Sequence, residues 1–121
     1  RVSRDRRSVT VLIESLRIGS VLADIAANGM IAVVFSQPST HRTIQLKGTD
    51  ARVVRVSPRD RDLVEQHLTA WVDELTAIGY RPEFARAVHG DAPDAMVALV
   101  FTPTAAFQQT PGPGAGDRLR S

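Results

Sequence analysis

The sequence predicts an antiparallel β-sheet or barrel with helices packed against it. Three observations support this fold class: the order of the elements, the alternation of polar and apolar residues, and the short links between central strands. The order is a strand, a helix, three strands, a long helix, a further strand and a tail. Since strands and helices do not alternate regularly, a parallel doubly wound sheet is disfavoured. At 121 residues with 43% hydrophobic content, the chain fits a single domain spanning residues 1–121.

The first strand and the first helix are predicted from local composition. Residues 8–13 read Ser-Val-Thr-Val-Leu-Ile, which is typical of a strand. Ser15 or Ser20 is the expected N-cap of the helix that follows. Asn28-Gly29 is the expected end of that helix, because glycine accepts the left-handed conformation that closes many helices.

Three strands are predicted in the middle of the chain. Residues 31–35 form an apolar, β-branched run, which indicates a buried strand. Polar and apolar residues alternate over 43–47, so two sets of side chains should lie on opposite faces. The apolar set is Ile44 and Leu46, and the polar set is Thr43, Gln45 and Lys47. Turns at 36–40 and 48–50 predict that residues 51–56 add the third strand of an antiparallel meander.

A long amphipathic helix is predicted from Ser57 to Ile78. Ser57 can cap it, Pro58 suits the first helical position, and Asp60 lies where a capping box needs an acceptor. Apolar residues recur along one side and are expected to pack on the barrel. These residues are Val64, Leu68, Trp71, Leu75 and Ile78.

The last third of the chain combines a helical turn, a strand and a Pro/Gly-rich arm. Residues 83–88 are expected to form one short helical turn, and the apolar run 96–101 a buried strand. Pro and Gly residues between 108 and 116 disfavour regular helix or sheet. We expect residues 108–121 to be an arm, either a flexible tail or a segment packed over a site or a partner subunit.

Composition excludes several classes of function. Without cysteine there is no disulfide scaffold, thiolate zinc site or Cys nucleophile. The spacing of His41, His67 and His89 matches no standard ligand pattern, so no metal site is expected. The net charge is only +2 and no basic stripe is interleaved with aromatics, so nucleic acid is not an expected partner. With no membrane-length apolar run and no signal peptide, we expect a cytoplasmic protein without membrane contact.

A polar cluster between the first two central strands is the first candidate for a functional site. Ser39 and Thr40 supply hydroxyls, Arg42 a guanidinium and Lys47 an ammonium. A phosphate-bearing ligand needs this mixture, because arginine pairs with phosphate through two parallel hydrogen bonds and lysine adds a point charge. The same residues also fit a polar turn that leads into a solvated strand face. Residue types alone slightly favour this second interpretation.

Residues 31–48, which read IAVVFSQPSTHRTIQLKG, resemble the pyridoxamine 5′-phosphate oxidase-like family of split barrels that bind flavin mononucleotide (FMN). The Ala-Asn-Gly before them and FQQTPGPGAG at 107–116 are similar to one bacterial subgroup of that family. The resemblance covers residues 9–119. It implies a mainly β fold, a six-stranded antiparallel split barrel that forms a homodimer and binds FMN at the dimer interface. It also implies that the first strands of the barrel precede Arg1.

The resemblance further implies a flavin-dependent oxidoreductase whose cofactor-binding residues lie in and near the polar cluster. Authentic oxidases have an Arg-Gln pair at the start of the central strand, and here the pair reads Arg42-Thr43. The Ser-Arg-Lys phosphate signature of oxidases is not reproduced near residues 19–21, and Arg17 and Ser15 are close enough to substitute. We expect the phosphate near Arg42 and Lys47. The full predicted set is Ser39, Thr40, Arg42, Thr43, Gln45, Lys47 and Arg17; no catalytic residue or substrate is assigned.

Two alternatives to an FMN enzyme remain open. The missing Ser-Arg-Lys signature favours a non-catalytic dimeric split barrel that binds a small ligand or none. Because the family includes members that use the deazaflavin F420 or haem, an F420-dependent reductase is the other alternative. A flavin carries the redox chemistry in its own ring, so a flavin enzyme of this kind needs no acid–base pair on the protein.

Overall fold

The computed structural model describes residues 1–14, 18–89 and 95–120. Across these ranges, the elements in chain order are β1 (Val9–Glu14), α1 (Gly19–Asn28), β2 (Ile31–Gln37), β3 (Arg42–Gly48), β4 (Arg52–Val54), α2 (Pro58–Ala77), α3 (Pro82–His89), β5 (Met96–Phe101) and β6 (Ala105–Gln108). Helical residues are at least as numerous as strand residues, because α2 is long and several strands are short. The class is therefore mixed α/β rather than mainly β as predicted.

The strands form two antiparallel three-stranded sheets. In the first sheet β5 lies between β1 and β4, and in the second β3 lies between β2 and β6. Six antiparallel strands agree with the prediction, but the described residues do not close a barrel. The predicted meander is wrong at its third strand, since β4 leaves β3 and pairs with β5. Consecutive strands pair only about two-thirds of the time, and local sequence does not reveal the exceptions.

The core lies where the two sheets meet α1. Its buried residues are Val9, Ile25, Ala51, Leu99 and Phe101. Partly buried residues from both sheets and α1 pack around them: Val11, Ile13, Leu22, Ile31, Val33 and Leu46. The apolar run 96–101 is therefore the buried central strand that the sequence predicted.

β2 is open on one face, whereas its apolar run predicted a buried strand. Ile31 and Val33 pack against the core. Val34, on the opposite face, is 54% exposed, and Phe35, on the face of Ile31 and Val33 but beyond the core, is 39% exposed. Continuous apolar runs are typical of strands that are covered on both faces. β2 packs against the core on one face only, so its composition leaves apolar side chains such as Val34 in contact with solvent.

α1 ends as predicted, and its start differs from the prediction. Gly29 adopts φ of 67°, and its N–H donates to the Ile25 carbonyl. A Cβ at Gly29 would lie 2.7 Å from the carbonyl oxygen of Thr49, so close approach and backbone conformation both require glycine. The residue at the N-cap is Ile18, without a side-chain hydrogen bond, and Ser20 lies inside the helix. Ser15, the other predicted cap, lies outside the described residues.

α2 begins at the predicted capping box. The Asp60 N–H donates to the Ser57 hydroxyl at 3.2 Å, and the Ser57 N–H donates to the Asp60 carboxylate at 2.9 Å. The Nε of Arg1 donates to the other oxygen of Asp60 at 2.6 Å. Because the Asp60 side chain is only 1% exposed, these bonds replace the water that a carboxylate would otherwise require.

α2 packs on α3, although the sequence predicted packing on the barrel. Val72, Leu75 and Ala85 are buried between the two helices, with Leu68 and Trp71 packed beside them. The indole N–H of Trp71 donates to the Ala85 carbonyl at 3.1 Å. The predicted single helical turn at 83–88 is in fact an eight-residue helix. It provides the apolar surface that the sheets were expected to provide.

The arm predicted at residues 108–121 folds back along β6, a strand that the sequence did not predict. The Gln108 N–H donates to the Asp117 carbonyl at 2.8 Å, and the Leu119 N–H donates to the Ala106 carbonyl at 2.8 Å. A turn over 112–116 allows this reversal. The segment 117–119 therefore lies beside β6 at the edge of the second sheet.

Leu75→Ala should lower the free energy of unfolding by roughly 2–5 kcal/mol, because it leaves a cavity between α2 and α3. Leu75 is 7% exposed, whereas Ile78, on the same predicted stripe, is 43% exposed. Ile78→Ala is therefore the matched control and should cost much less. Urea denaturation followed by circular dichroism measures both. Equal losses would contradict the packing of α2 on α3.

Asp60→Asn should remove an acid-sensitive part of the stability. Hydrogen bonds from Arg1 and Ser57 hold the pKa of Asp60 well below its usual range. The carboxylate therefore stabilises the fold above the ordinary aspartate pKa of about 4, and this contribution is lost as the pH falls below that value. Between pH 7 and pH 3, unfolding free energy should fall more steeply for wild type than for Asp60→Asn. The exposed neighbour variant Asp62→Asn should follow the wild type; identical curves for all three would refute the assignment.

Candidate functional site

The second sheet has one face on the core and one face open. Ile31, Val33 and Leu46 pack against the core from the inner face. Because side chains alternate along each strand, the remaining set points away from the core. We call this set the outer face. Its members, aligned by the register of the three strands, are Ala32, Val34, Ser36, Thr43, Gln45, Lys47, Ala105 and Phe107.

The structure divides the predicted site residues of β3 between the two faces. Thr43, Gln45 and Lys47 lie on the outer face, as predicted. Arg42 lies on the inner face, five positions from Lys47. At about 3.3 Å per residue, their backbones are about 16 Å apart along the strand. Within one chain, Arg42 and Lys47 are therefore not brought together around a single phosphate.

The hairpin turn between β2 and β3 uses much of the predicted polar cluster for its own structure. The Thr40 hydroxyl donates to Gln37 Oε1 at 3.1 Å and accepts the N–H of Arg42 at 3.3 Å. His41 adopts φ of 56°, a left-handed conformation in which histidine is enriched over most other residues. The presence of Thr40 and His41 is thus explained by the turn itself.

The end of the hairpin is tied to α2 through Glu74. The Ser39 N–H donates to the Glu74 carboxylate at 3.0 Å, and the Gln37 side-chain amide donates to it at 2.8 Å. Hydrogen bonding from the Ser39 side chain, then from Gln37 and from the Ser39 N–H, lowers the pKa of Glu74. The backbone of Ser39 is therefore held in place. Arg17, the remaining predicted site residue, lies outside the described residues.

Thr43 is also held by neighbouring polar groups. Its N–H donates to the Thr110 hydroxyl at 3.0 Å, and its own hydroxyl lies 3.0 Å from that of Ser36. Thr110 belongs to the segment that follows β6. Hydrogen bonds thus join β3 to β2 and to the segment after β6 at the start of the outer face.

Two outer-face residues, Phe107 and Arg118, were missed by sequence reasoning. They are opposite each other in an antiparallel bridge, with backbone hydrogen bonds on either side of the pair. In such a pair the Cα atoms are about 4.5 Å apart and the side chains leave the sheet on the same face. The Nζ of Lys47 lies 4.9 Å from the centroid of the Phe107 ring, a cation–π contact. The outer face therefore carries Lys47 over the Phe107 ring and a second cation, Arg118, on the segment opposite Phe107.

The cations of the outer face and of the hairpin have no acidic partner in the described part of the chain. The ion pairs of the described part join Arg1 to Asp60 and Arg81 to Glu83. Neither of these pairs involves Arg42, Lys47 or Arg118. The guanidinium of Arg118 donates only a long hydrogen bond, 3.4 Å, to the Thr104 carbonyl. An anionic ligand would thus meet cations that no described carboxylate neutralises.

An open groove of about 960 Å³ lies at the edge of the second sheet next to Arg118. Residues 103–106 form one side and residues 117–120 the other. Its volume is within the range of small-molecule sites. The groove lies beside β6, so a ligand held by Arg118 would have room next to it.

His67 and His89 meet between α2 and α3, although their sequence spacing gave no sign of it. Their ring centroids are 5.5 Å apart, and the Trp71 ring lies 6.5 Å from that of His89. Burial, with a smaller effect of His89, lowers the pKa of His67. In the described ranges, no three His, Cys, Asp or Glu residues are grouped to hold a metal ion. The expected absence of a metal stays a prediction.

No family model, curated protein or solved structure matches this chain. The likeness to the pyridoxamine 5′-phosphate oxidase-like family therefore rests on the residues of the sequence itself. Within the described ranges, each helix is too short or too polar to cross a membrane.

Proposed function

We propose that this protein binds FMN and acts as a flavin-dependent oxidoreductase of the pyridoxamine 5′-phosphate oxidase-like type. The observation that carries the proposal is the outer face, on which Thr43, Gln45 and Lys47 project side by side from β3. A phosphate monoester carries close to two negative charges at neutral pH. A ligand that combines such a group with a planar, hydrogen-bonding ring suits a flat surface of amide, hydroxyl and ammonium groups.

The donor set of the outer face fits this cofactor. The Gln45 amide can both donate and accept hydrogen bonds at the edge of a ring. The Lys47 ammonium can pair with phosphate. Arg42, on the inner face at the other end of β3, can also do so through two parallel bonds. The isoalloxazine ring supplies the redox chemistry when it is bound. The residues of the chain would bind it, orient it and limit the access of water.

The distance between Arg42 and Lys47 gives the phosphate two alternative positions on one chain. The first is the hairpin end, where Arg42 stands beside Ser39 and Thr40. The second is the opposite end of β3, where Lys47 stands beside Phe107. Arg17 remains a predicted contact for the phosphate.

The proposal includes a homodimer in which the two sheets of each chain take the positions of the two halves of a split barrel. Phe35 and Ile44 support it, because they are paired across β2 and β3 on the inner face, beyond the core. They are 39% and 38% exposed. A second copy that covered this pair would remove apolar surface from water and bring two hairpins together.

Arg42→Ala should weaken FMN binding by roughly 1.5–3 kcal/mol if the phosphate lies at the hairpin end, the range for a hydrogen bond to a charged group. Arg42→Lys should cost less, because it keeps the charge but loses the two-pronged geometry. Quenching of flavin fluorescence in a titration of the full-length protein measures the affinities. Riboflavin, which lacks the phosphate, should bind wild type and variants equally. Equal FMN affinities for wild type and Arg42→Ala would exclude Arg42 from the phosphate site.

The absorption spectrum of purified full-length protein should show an oxidised flavin, because the proposal makes FMN the resident cofactor. A spectrum of F420 would instead favour the reductase alternative. Colourless protein that takes up no added FMN would favour the non-catalytic ligand-binding alternative and contradict the proposed function.

Phe35→Ser combined with Ile44→Ser should shift the protein from dimer towards monomer, because two polar side chains would be buried in the proposed contact. Light scattering over a range of concentrations of full-length protein gives the mass. Val21→Ser is the matched control, since Val21 is 44% exposed on α1. Wild-type protein of monomer mass at all concentrations would refute the homodimer.

A further inference from the structure

We infer that Lys47 and Arg118 together hold the anionic group of a planar aromatic ligand whose ring lies on the outer face between Phe107 and Val34. The inference rests on the proposed function only for the identity of the ligand as FMN. It assigns the phosphate to the Phe107 end of β3 instead of the hairpin end. It also brings in Arg118, a residue of the C-terminal arm, as a direct ligand contact.

The first argument is the register of the strands, which places the floor of this site in one row. Val34 pairs with Gln45, Gln45 with Phe107, and Phe107 with Arg118. Neighbouring strands are about 4.8 Å apart, so the row extends about 14 Å across the sheet. Val34 is 54% exposed, which makes one end of the row an apolar surface in contact with solvent. The other end is the Arg118 guanidinium.

The second argument is the position of Lys47 relative to the aromatic ring. Lys47 pairs with Ala105, two residues before Phe107, and its ammonium lies 4.9 Å from the centroid of the Phe107 ring. Arg118 lies opposite Phe107 on the neighbouring segment, and its guanidinium donates to the Thr104 carbonyl. By strand order, Lys47 on β3 and Arg118 on the segment 117–119 lie on the two sides of β6, which carries Phe107. An anion placed next to this ring would contact both cations.

The third argument is electrostatic. Like charges that are close together on a sheet face repel each other and destabilise the fold. No described carboxylate forms an ion pair with either cation, not even Asp117, which lines the groove beside Arg118. Arg118 has five N–H donors, of which one makes a long bond to the Thr104 carbonyl. A phosphate would neutralise the two positive charges and accept hydrogen bonds from the remaining N–H groups of Arg118.

The competing position at Arg42 has fewer of these features. Arg42 is the only cation among the hairpin residues 37–42. The Thr40 hydroxyl beside it is engaged in the turn, and the Ser39 N–H is bonded to Glu74. A dianion at the hairpin end would also lie near the negative Glu74 carboxylate. The Phe107 end offers two cations, and neither forms an ion pair with a described acid, Asp117 of the groove included.

Arg118→Gln and Lys47→Gln should each weaken FMN binding about 10- to 100-fold in full-length protein, the loss that corresponds to a hydrogen bond with a charged group. Riboflavin affinity should not change, because riboflavin has no phosphate. Glutamine is chosen because it keeps much of the side-chain length and can still bond to the Thr104 carbonyl, so the fold is retained. Arg59→Gln, an exposed arginine at the start of α2, is the charge-matched control and should bind FMN like the wild type.

Phe107→Leu provides a second, independent readout. It removes the aromatic floor while keeping an apolar side chain, so it should weaken FMN and riboflavin by the same factor. A loss for FMN alone would mean that Phe107 acts only through the placement of Lys47. That result would overturn the proposed position of the ring.

A parallel titration with 1-naphthyl phosphate and with 1-naphthol separates this inference from the proposed function. Suppose that wild type binds naphthyl phosphate but not FMN, and that Arg118→Gln loses the naphthyl phosphate. This result would support the proposed anion site and contradict the proposal that the ligand is FMN. FMN binding that is unchanged in Arg118→Gln and Lys47→Gln would overturn the site and leave the flavin. Failure of wild type to bind either phosphate would overturn both.

Discussion

The two sheets depend on the contact between the ring of Phe101 and the bare backbone of Gly48. Phe101 is fully buried at the end of β5, and Gly48 ends β3. A Cβ at Gly48 would lie 2.7 Å from the Phe101 ring and 2.9 Å from the Thr102 carbonyl oxygen. The first sheet can approach the second only because glycine has no side chain there. This contact fixes which face of the second sheet is inner, and consequently which face is open to ligands.

The elements with local signals could be predicted from the sequence, and the strand pairing could not. Ser57, Pro58 and Asp60 identify the start of α2 within a few residues, and Gly29 identifies the end of α1. The partner of β4 has no such signal, because it depends on residues far along the chain. β6 could not be predicted for a similar reason. It is short, it contains Gln and Ala, and it is stabilised by pairing with β3 and with the segment 117–119.

For the candidate site too, local sequence predicts which strand residues share a face, but not which distant residues lie beside them. Alternation along β3 correctly placed Thr43, Gln45 and Lys47 on one face. The same alternation, applied to Arg42, would have put it on the other face, so this separation was available in the sequence. The role of Arg118 could not be predicted from the sequence, since only the fold-back of the arm puts this residue opposite Phe107. An irregular, Pro/Gly-rich composition gives no indication that the residues after it return to a sheet edge.

The helices α2 and α3 have a hydrophobic cluster of their own, and described polar links tie them to the remainder of the protein. One link is the Arg1–Asp60 pair and another is the Glu74 carboxylate at the hairpin end. Segments with few apolar contacts to their surroundings open in sub-global events that cost less than complete unfolding. Amide hydrogens of α2 are therefore expected to exchange with solvent through detachment of the helical pair, while those of β5 exchange only when the whole chain unfolds. A ligand that orders the β2–β3 hairpin would, through its hydrogen bonds to Glu74, slow the exchange of α2 amides. It would leave the exchange of β5 amides governed by the stability of the core.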